Sequence, residues 1–305
     1  MSKQSQSDPS IRNVHKMHGG LVHRLFHEPL AMSPESIPEL LLALTDDKVG
    51  ETMAKAFAPE PSASVSLSTQ SQGYEVTSDR WGNPLPKPTA SDGIAYIPIS
   101  GTIVKGAGNL GRWYGMCDLN NLSQWIRTAV NDPEIKALVF VTDSPGGFTT
   151  GVTEIATMIQ KCKKPTMAYT EGTMGSAAYW IGGSADYVYG TPSSNVGSIG
   201  AFIAIQDASK FFERMGVKLH VFRSGEYKGT GIDGITDKQA EYLQERVDAN
   251  AKDFKQSVSN KRPLIDDKDM QGQSYFGAEA APRGFLAGTV DGLEEAVTKF
   301  NSHTN

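Results

Sequence analysis

The sequence predicts an α/β fold with a mainly parallel sheet, helices on its faces and a long C-terminal arm helix. Three observations carry that expectation. Apolar runs of strand length, such as Ile-Lys-Ala-Leu-Val-Phe-Val-Thr at 135–142, alternate with segments of helical periodicity. The alternation repeats at the spacing of right-handed βαβ crossovers. A chain of 305 residues, 39% of them apolar, is also long enough to bury a sizeable core.

Residues 1–20 are rich in Ser, Gln, Lys and Asp and read as a disordered tail. An N-terminal helical segment is expected over 21–56. Its signals are Leu21, Leu25, Phe26 and Leu30, a helix start at Ser33-Pro34-Glu35-Ser36, and then Ile37, Leu40, Leu41, Leu42 and Leu44. Pro59, Pro61, Pro84, Pro86 and Pro88, with the Ser/Thr/Gln stretch between, mark 57–91 as a linker. The main domain then occupies 92–300. Strands are expected at 94–99, 135–142, 165–170, 187–189, 199–206 and 218–223. Helices are expected at 118–131 (capped by Asp118), 148–163, from Ser176, at 208–215 and at 237–261, with a turn or strand near 288–293 before a closing helix at 294–300. The 237–261 helix would be about 37 Å long, which suits an arm packed on a neighbour better than a crossover.

Composition narrows the function. Basic residues are scattered, and the local group Lys161, Lys163 and Lys164 sits where a helix C-terminus is expected, so no nucleic-acid surface is predicted. Cys117 and Cys162 are too few for a disulfide framework or a zinc site, which points to a reducing compartment. His15, His18, His23 and His27 have no accompanying cysteines or clustered carboxylates and read as surface residues; no metal or cofactor is expected. No apolar run reaches the roughly 18 residues of a membrane span, and the first ten residues are polar, so a membrane anchor and a classical leader are not expected.

Chemistry concentrates in two glycine turns. In Gly172-Thr173-Met174-Gly175-Ser176-Ala177-Ala178-Tyr179-Trp180 a serine follows a glycine and opens a helix. Alone, this reads best as a helix cap. Asp143-Ser144-Pro145-Gly146-Gly147 ends the central strand at the carboxyl edge of the sheet, where bare backbone can meet a ligand. Together the N–H groups of Gly147 and Ala177 offer a two-donor oxyanion hole, with Gly146 and Gly175 lining the substrate.

Four motifs in order resemble the signal peptide peptidase A-like serine peptidase family (S49): Asp-Ser-Pro-Gly-Gly at 143–147, Gly-Ser-Ala-Ala-Tyr at 175–179, Val-Gly-Ser-Ile-Gly at 196–200 and Arg-Ser-Gly-Glu-Tyr-Lys-Gly at 223–229. The likeness spans residues 94 to 297 and implies a Clp protease/crotonase-like fold. It further implies Ser176 as nucleophile, Lys228 as general base and Ser198 as the hydroxyl that orients the lysine. A lysine base must be neutral; bringing an ordinary pKa of about 10.4 down to 7–8 takes about 3 units, or about 4 kcal/mol. Lys228 is therefore expected to be buried, or covered when substrate binds. Two competing sites are a histidine base, for which the core offers only His220, and a crotonase-type pair of acids, Asp143 and Asp233. The start Leu30-Ala31-Met32-Ser33-Pro34-Glu35 resembles phage minor capsid proteases, which implies a phage or prophage capsid maturation protease. That branch acts on scaffold and portal-proximal proteins, in the host cytoplasm or procapsid interior, and homo-oligomerises. The alternatives are a soluble signal-peptide-peptidase-like enzyme degrading peptides and a non-enzymatic capsid assembly component.

Overall fold

The computed structural model describes residues 30–32, 77–78, 84–85, 87–205 apart from 109, 110, 112 and 113, and 213–304 apart from 215, 217 and 219. In chain order the strands are β1 (Leu30–Met32), β2 (Thr77–Ser78), β3 (Pro84–Leu85), β4 (Thr89–Ser91), β5 (Ile94–Ser100), β6 (Ile103–Val104), β7 (Cys117–Asp118), β8 (Ala137–Asp143), β9 (Gly146–Phe148), β10 (Thr166–Thr170), β11 (Thr173–Gly175), β12 (Tyr187–Gly190), β13 (Asn195–Gly197), β14 (Ser274–Phe276) and β15 (Gly288–Thr289). The helices are α1 (Leu119–Asn131), α2 (Val152–Gln160), α3 (Ala177–Gly182), α4 (Asp237–Lys261), α5 (Gly277–Ala280) and α6 (Leu293–Thr304).

The main sheet runs β15-β12-β10-β8-β5-β4 and is parallel except at β4, which pairs antiparallel with β5. Its central strands are almost continuously apolar because both faces are covered. Ile97, Leu138, Phe140 and Ala168 pack with Leu122 and Ile126 of α1, Ile155 of α2 and Trp180 of α3. Val139, Met167 and Tyr169 pack on the other side with Ala296 and Phe300 of α6. The cap expected at Asp118 is present: its carboxylate accepts from the N–H groups of Asn120, Gly106 and Gly108, at 2.9, 3.0 and 3.0 Å.

Three times the chain leaves a main strand and, within a few residues, enters a short strand of a second layer: β8 to β9, β10 to β11 and β12 to β13. These form two further sheets, β1-β9-β6-β7 and β11-β13-β14. Both candidate glycine turns fall at those exits, on the carboxyl edge where parallel sheets bind ligands. Strands of two or three residues have no readable period, which is why β6, β7, β11, β13 and β14 were not foreseen.

Some expectations fail. The described residues of 199–206 and 218–223 form no strand. At the first, the Ser198 N–H is already taken by the Gln273 carbonyl at 2.8 Å, which turns the chain out of the sheet. In the second, Phe222 is 95% exposed, with no apolar layer among the described residues to cover it. Leu30–Met32, placed in a helical segment, is a strand on β9; Pro29 and Pro34 on either side interrupt a helix there. β4, placed in the linker, is the edge of the main sheet. The rest of 21–56, the tail at 1–20, most of the 208–215 helix and the histidines at 15, 18, 23 and 27 lie outside the described residues.

Candidate active site

Ser176 stands between β11 and α3 with φ 54° and ψ −120°, a conformation a non-glycine residue rarely holds. A strand, a strained serine and a helix make the geometry of a nucleophile elbow. The turn is held through main chain: Ser176 N–H donates to the Gly197 carbonyl at 2.7 Å, and its own carbonyl accepts from Trp180 N–H at 2.9 Å. The side chain does not cap α3. Ser176 is 1% exposed, and among the described residues its Oγ has no hydrogen-bond partner. The helix-cap reading therefore gives way to a buried hydroxyl that nothing in the turn occupies. At the first helical position, Ala177 N–H has no intrahelical acceptor either.

The Pro-Gly-Gly turn is fastened to this elbow. Ser144 N–H donates to the Thr173 carbonyl at 2.7 Å, and Gly175 N–H donates to the Ser144 carbonyl at 3.0 Å. Ser144 Oγ donates to the Gly101 carbonyl at 2.7 Å and accepts from Gly146 N–H at 3.2 Å. Gly146 has φ +98°, and a Cβ on Gly147 would fall on the Ile103 carbonyl of β6, so both positions require glycine. A Cβ on Gly175 would lie 3.3 Å from the Pro145 carbonyl. Gly146, Gly147, Gly175, Ser176 and Ala177 are thus gathered at one place. Asp143, weighed as an acid, accepts from Thr173 N–H at 3.0 Å and so positions β11.

Ser198 is buried with φ 53°, one residue beyond the Gly197 carbonyl that holds Ser176. Lys228 is exposed, on the turn at 224–231, and makes no hydrogen bond to Ser176 Oγ. Its turn is tied to the start of α4. Gln239 Nε2 donates to the Glu226 carbonyl at 2.6 Å, and the same side chain completes a capping box with Thr236. Tyr227 packs on Tyr242 with ring centroids 4.9 Å apart.

Gln239 and Gln273 were missed by sequence reasoning. The pattern Thr236-x-x-Gln239 was a legible cap signal; Gln273 acts through its carbonyl and leaves no signal. Burial, then the neighbouring Asp118, pushes the Cys117 thiol up to about 12, which makes it inert at neutral pH. His220 and Asp233, the other competing groups, are exposed, and Asp233 pairs with Arg223. Among the described residues no group of acidic, His and Cys side chains is arranged to hold a metal, and no helix is long and apolar enough to cross a membrane.

Residues 158–305 match the model of peptidase family S49. The chain is 28% identical over 294 residues to capsid assembly protease C of Escherichia phage lambda, covering 90% of this chain and 63% of that protein. It is 25% identical over 296 residues to the head-tail preconnector protein GP5 of Enterobacteria phage P21, covering 93% and 58%. The chain therefore spans less than two thirds of the length of either relative. Solved structures similar to it include an enoyl-CoA hydratase from Shewanella pealeana (TM-score 0.44, 9% identity, 72% of this chain and 74% of that one). Another is ClpP1 from Listeria monocytogenes (TM-score 0.43, 12% identity, 65% and 92%).

Proposed function

We propose that this chain, whose residues 158–305 match peptidase family S49, is a serine endopeptidase in which Ser176 is the nucleophile and Lys228 the base. The observation that carries this is the Ser176 elbow: a strained, buried serine whose hydroxyl has no hydrogen-bond partner among the described residues. Ser176 Oγ attacks the peptide carbonyl while Lys228 Nζ takes its proton. The N–H groups of Gly147 and Ala177 receive the oxyanion, with Gly146 and Gly175 beside the peptide. Ser198 orients the amine, which then protonates the leaving group; water activated by the same lysine releases the acyl-enzyme.

Lys228 is on an exposed turn among exposed apolar side chains, Phe222, Tyr227, Ile232 and Ile235. That setting supports a base covered by substrate or by a second copy of the chain, since a lysine in water stays protonated. The likeness to two phage head proteins supports a capsid maturation role on scaffold or portal-proximal proteins, in a homo-oligomer within the host cytoplasm or procapsid.

The test compares wild type, Ser176→Ala, Lys228→Ala and His220→Ala on casein and on a procapsid scaffold. Wild type and His220→Ala should cleave, and the other two should lose at least about a hundredfold in rate. Equal cleavage by all four, or by none, would remove the assignment in favour of a non-enzymatic assembly component. Mixing the two inactive variants should restore part of the activity if one copy's lysine serves another copy's serine; no recovery places the dyad within one chain.

A further inference from the structure

β9 has two edges, and β6 holds one, with Ile103 opposite Gly147. The other is held by a segment more than a hundred residues earlier in sequence. β1 runs antiparallel along it, with Leu30 opposite Phe148, Ala31 opposite Gly147 and Met32 opposite Gly146. An extended peptide that offers a carbonyl to the Gly147 amide has to lie along β9, adding one strand to the sheet. With β6 locked against Gly147, the edge left for such a strand is the one that β1 occupies. β1 is also built for exchange. Pro29 and Pro34, on either side of it in sequence, lack the N–H groups that a longer ladder would need.

We propose that β1 is a resident ligand of the peptide-binding edge: Leu30–Met32 holds the main-chain position of a substrate strand, and the chain shields its own nucleophile until an incoming peptide displaces it. The inference rests on the peptidase reading above. The shielding strand is a short extended peptide, and the competitor that displaces it is another of the same class.

The test uses the full chain. Successive N–H groups of a strand face opposite edges, so Leu30→Pro/Ala31→Pro removes at least one ladder donor whichever way β1 is phased. If β1 occupies the edge about three quarters of the time, the double variant should lower KM for a fluorogenic peptide about fourfold with kcat unchanged. A synthetic peptide of residues 28–35, Glu-Pro-Leu-Ala-Met-Ser-Pro-Glu, should inhibit the double variant competitively and wild type more weakly. Ser176-dependent cutting of the chain beside Ala31 would report the same occupancy. Unchanged KM together with no competition by the peptide would overturn the proposal. Should circular dichroism find the double variant unfolded, peptide competition against wild type decides alone. Failure of the peptidase reading is separable, because binding does not need turnover. Fluorescein-labelled 28–35 peptide should bind Ser176→Ala carrying the two prolines more tightly than Ser176→Ala alone, and equal binding overturns the proposal even if neither protein is descended from an active enzyme.

Discussion

Ser176 holds a backbone conformation that costs of order 1–3 kcal/mol for a side chain with a Cβ. The Gly197 carbonyl and the Trp180 amide keep it there, and Trp180 itself is stacked on Phe254 at 4.6 Å. In this conformation the buried hydroxyl does not cap α3. Replacing Ser176 with glycine should therefore separate stability from function. Activity should vanish, while the unfolding free energy rises by about 1 kcal/mol, or about 2–4 °C in Tm. Thermal melts of wild type, Ser176→Gly and Ser176→Ala check this, with the alanine variant expected to gain nothing because it keeps the Cβ.

Among the elements, α4 carries the clearest division of labour. Of its 25 residues only Gln239, Phe254 and Val258 are buried, so the helix is anchored near its C-terminal half and its first half is polar and open. The anchor is completed by Asp186. Lys261 Nζ donates to its carboxylate at 2.8 Å, Thr166 donates from N–H at 3.0 Å and Oγ1 at 2.8 Å, and Arg262 caps the Ala185 and Asp186 carbonyls. Burial pushes the Asp186 carboxyl up, but the hydrogen bonds from Lys261 and Thr166 outweigh it and leave the group below its ordinary value. A carboxyl lowered on folding stabilises the protein above its unfolded pKa of about 3.9, and that contribution is lost as pH falls through the folded value. The stability gap between wild type and Asp186→Asn in urea titrations should hold constant from pH 7 to 5 and close below about pH 4.

α4 also marks how far the sequence could be read. Its bounds at 237–261 were legible because a long polar-apolar period continues without a break, and β5 and β8 were legible as apolar runs. Ser176 and Gly147 were visible because each sits at a glycine turn ending a strand. What could not be read was pairing between distant short pieces, β11 with β13 and β13 with β14, since those strands carry three residues each and are specified by their partners. The segment at 218–223 failed for the opposite reason: it has the apolar content of a strand, but Phe222 is 95% exposed and no apolar layer of the described residues receives it.

Among the described residues, five of the seven exposed large apolar side chains, Phe222, Tyr227, Ile232, Ile235 and Tyr242, fall within the stretch of sequence that holds Lys228 and the open start of α4. Isolated exposed apolar residues need no explanation, but a group beside a polar projecting helix is the composition of a contact surface. The chain should therefore associate with itself. Sedimentation velocity of wild type should give a concentration-dependent oligomer, and Phe222→Asp should shift it toward monomer while leaving the circular dichroism spectrum unchanged. A monomeric wild type at micromolar concentration would refute the association.

The brace on Ser198 has a consequence in time. Ser198 N–H is held by the Gln273 carbonyl, β13 is held by β14, and Tyr179 Oη of α3 donates to the Phe285 carbonyl at 2.9 Å. A ribosome adds about 5–20 residues per second, so roughly 5–20 s pass between making the serine and making the pieces that brace it. During that interval the elbow lacks the strand and the carbonyls that hold it in the folded protein. The order of the chain thus assembles the elbow only after residues 273–285 have been made.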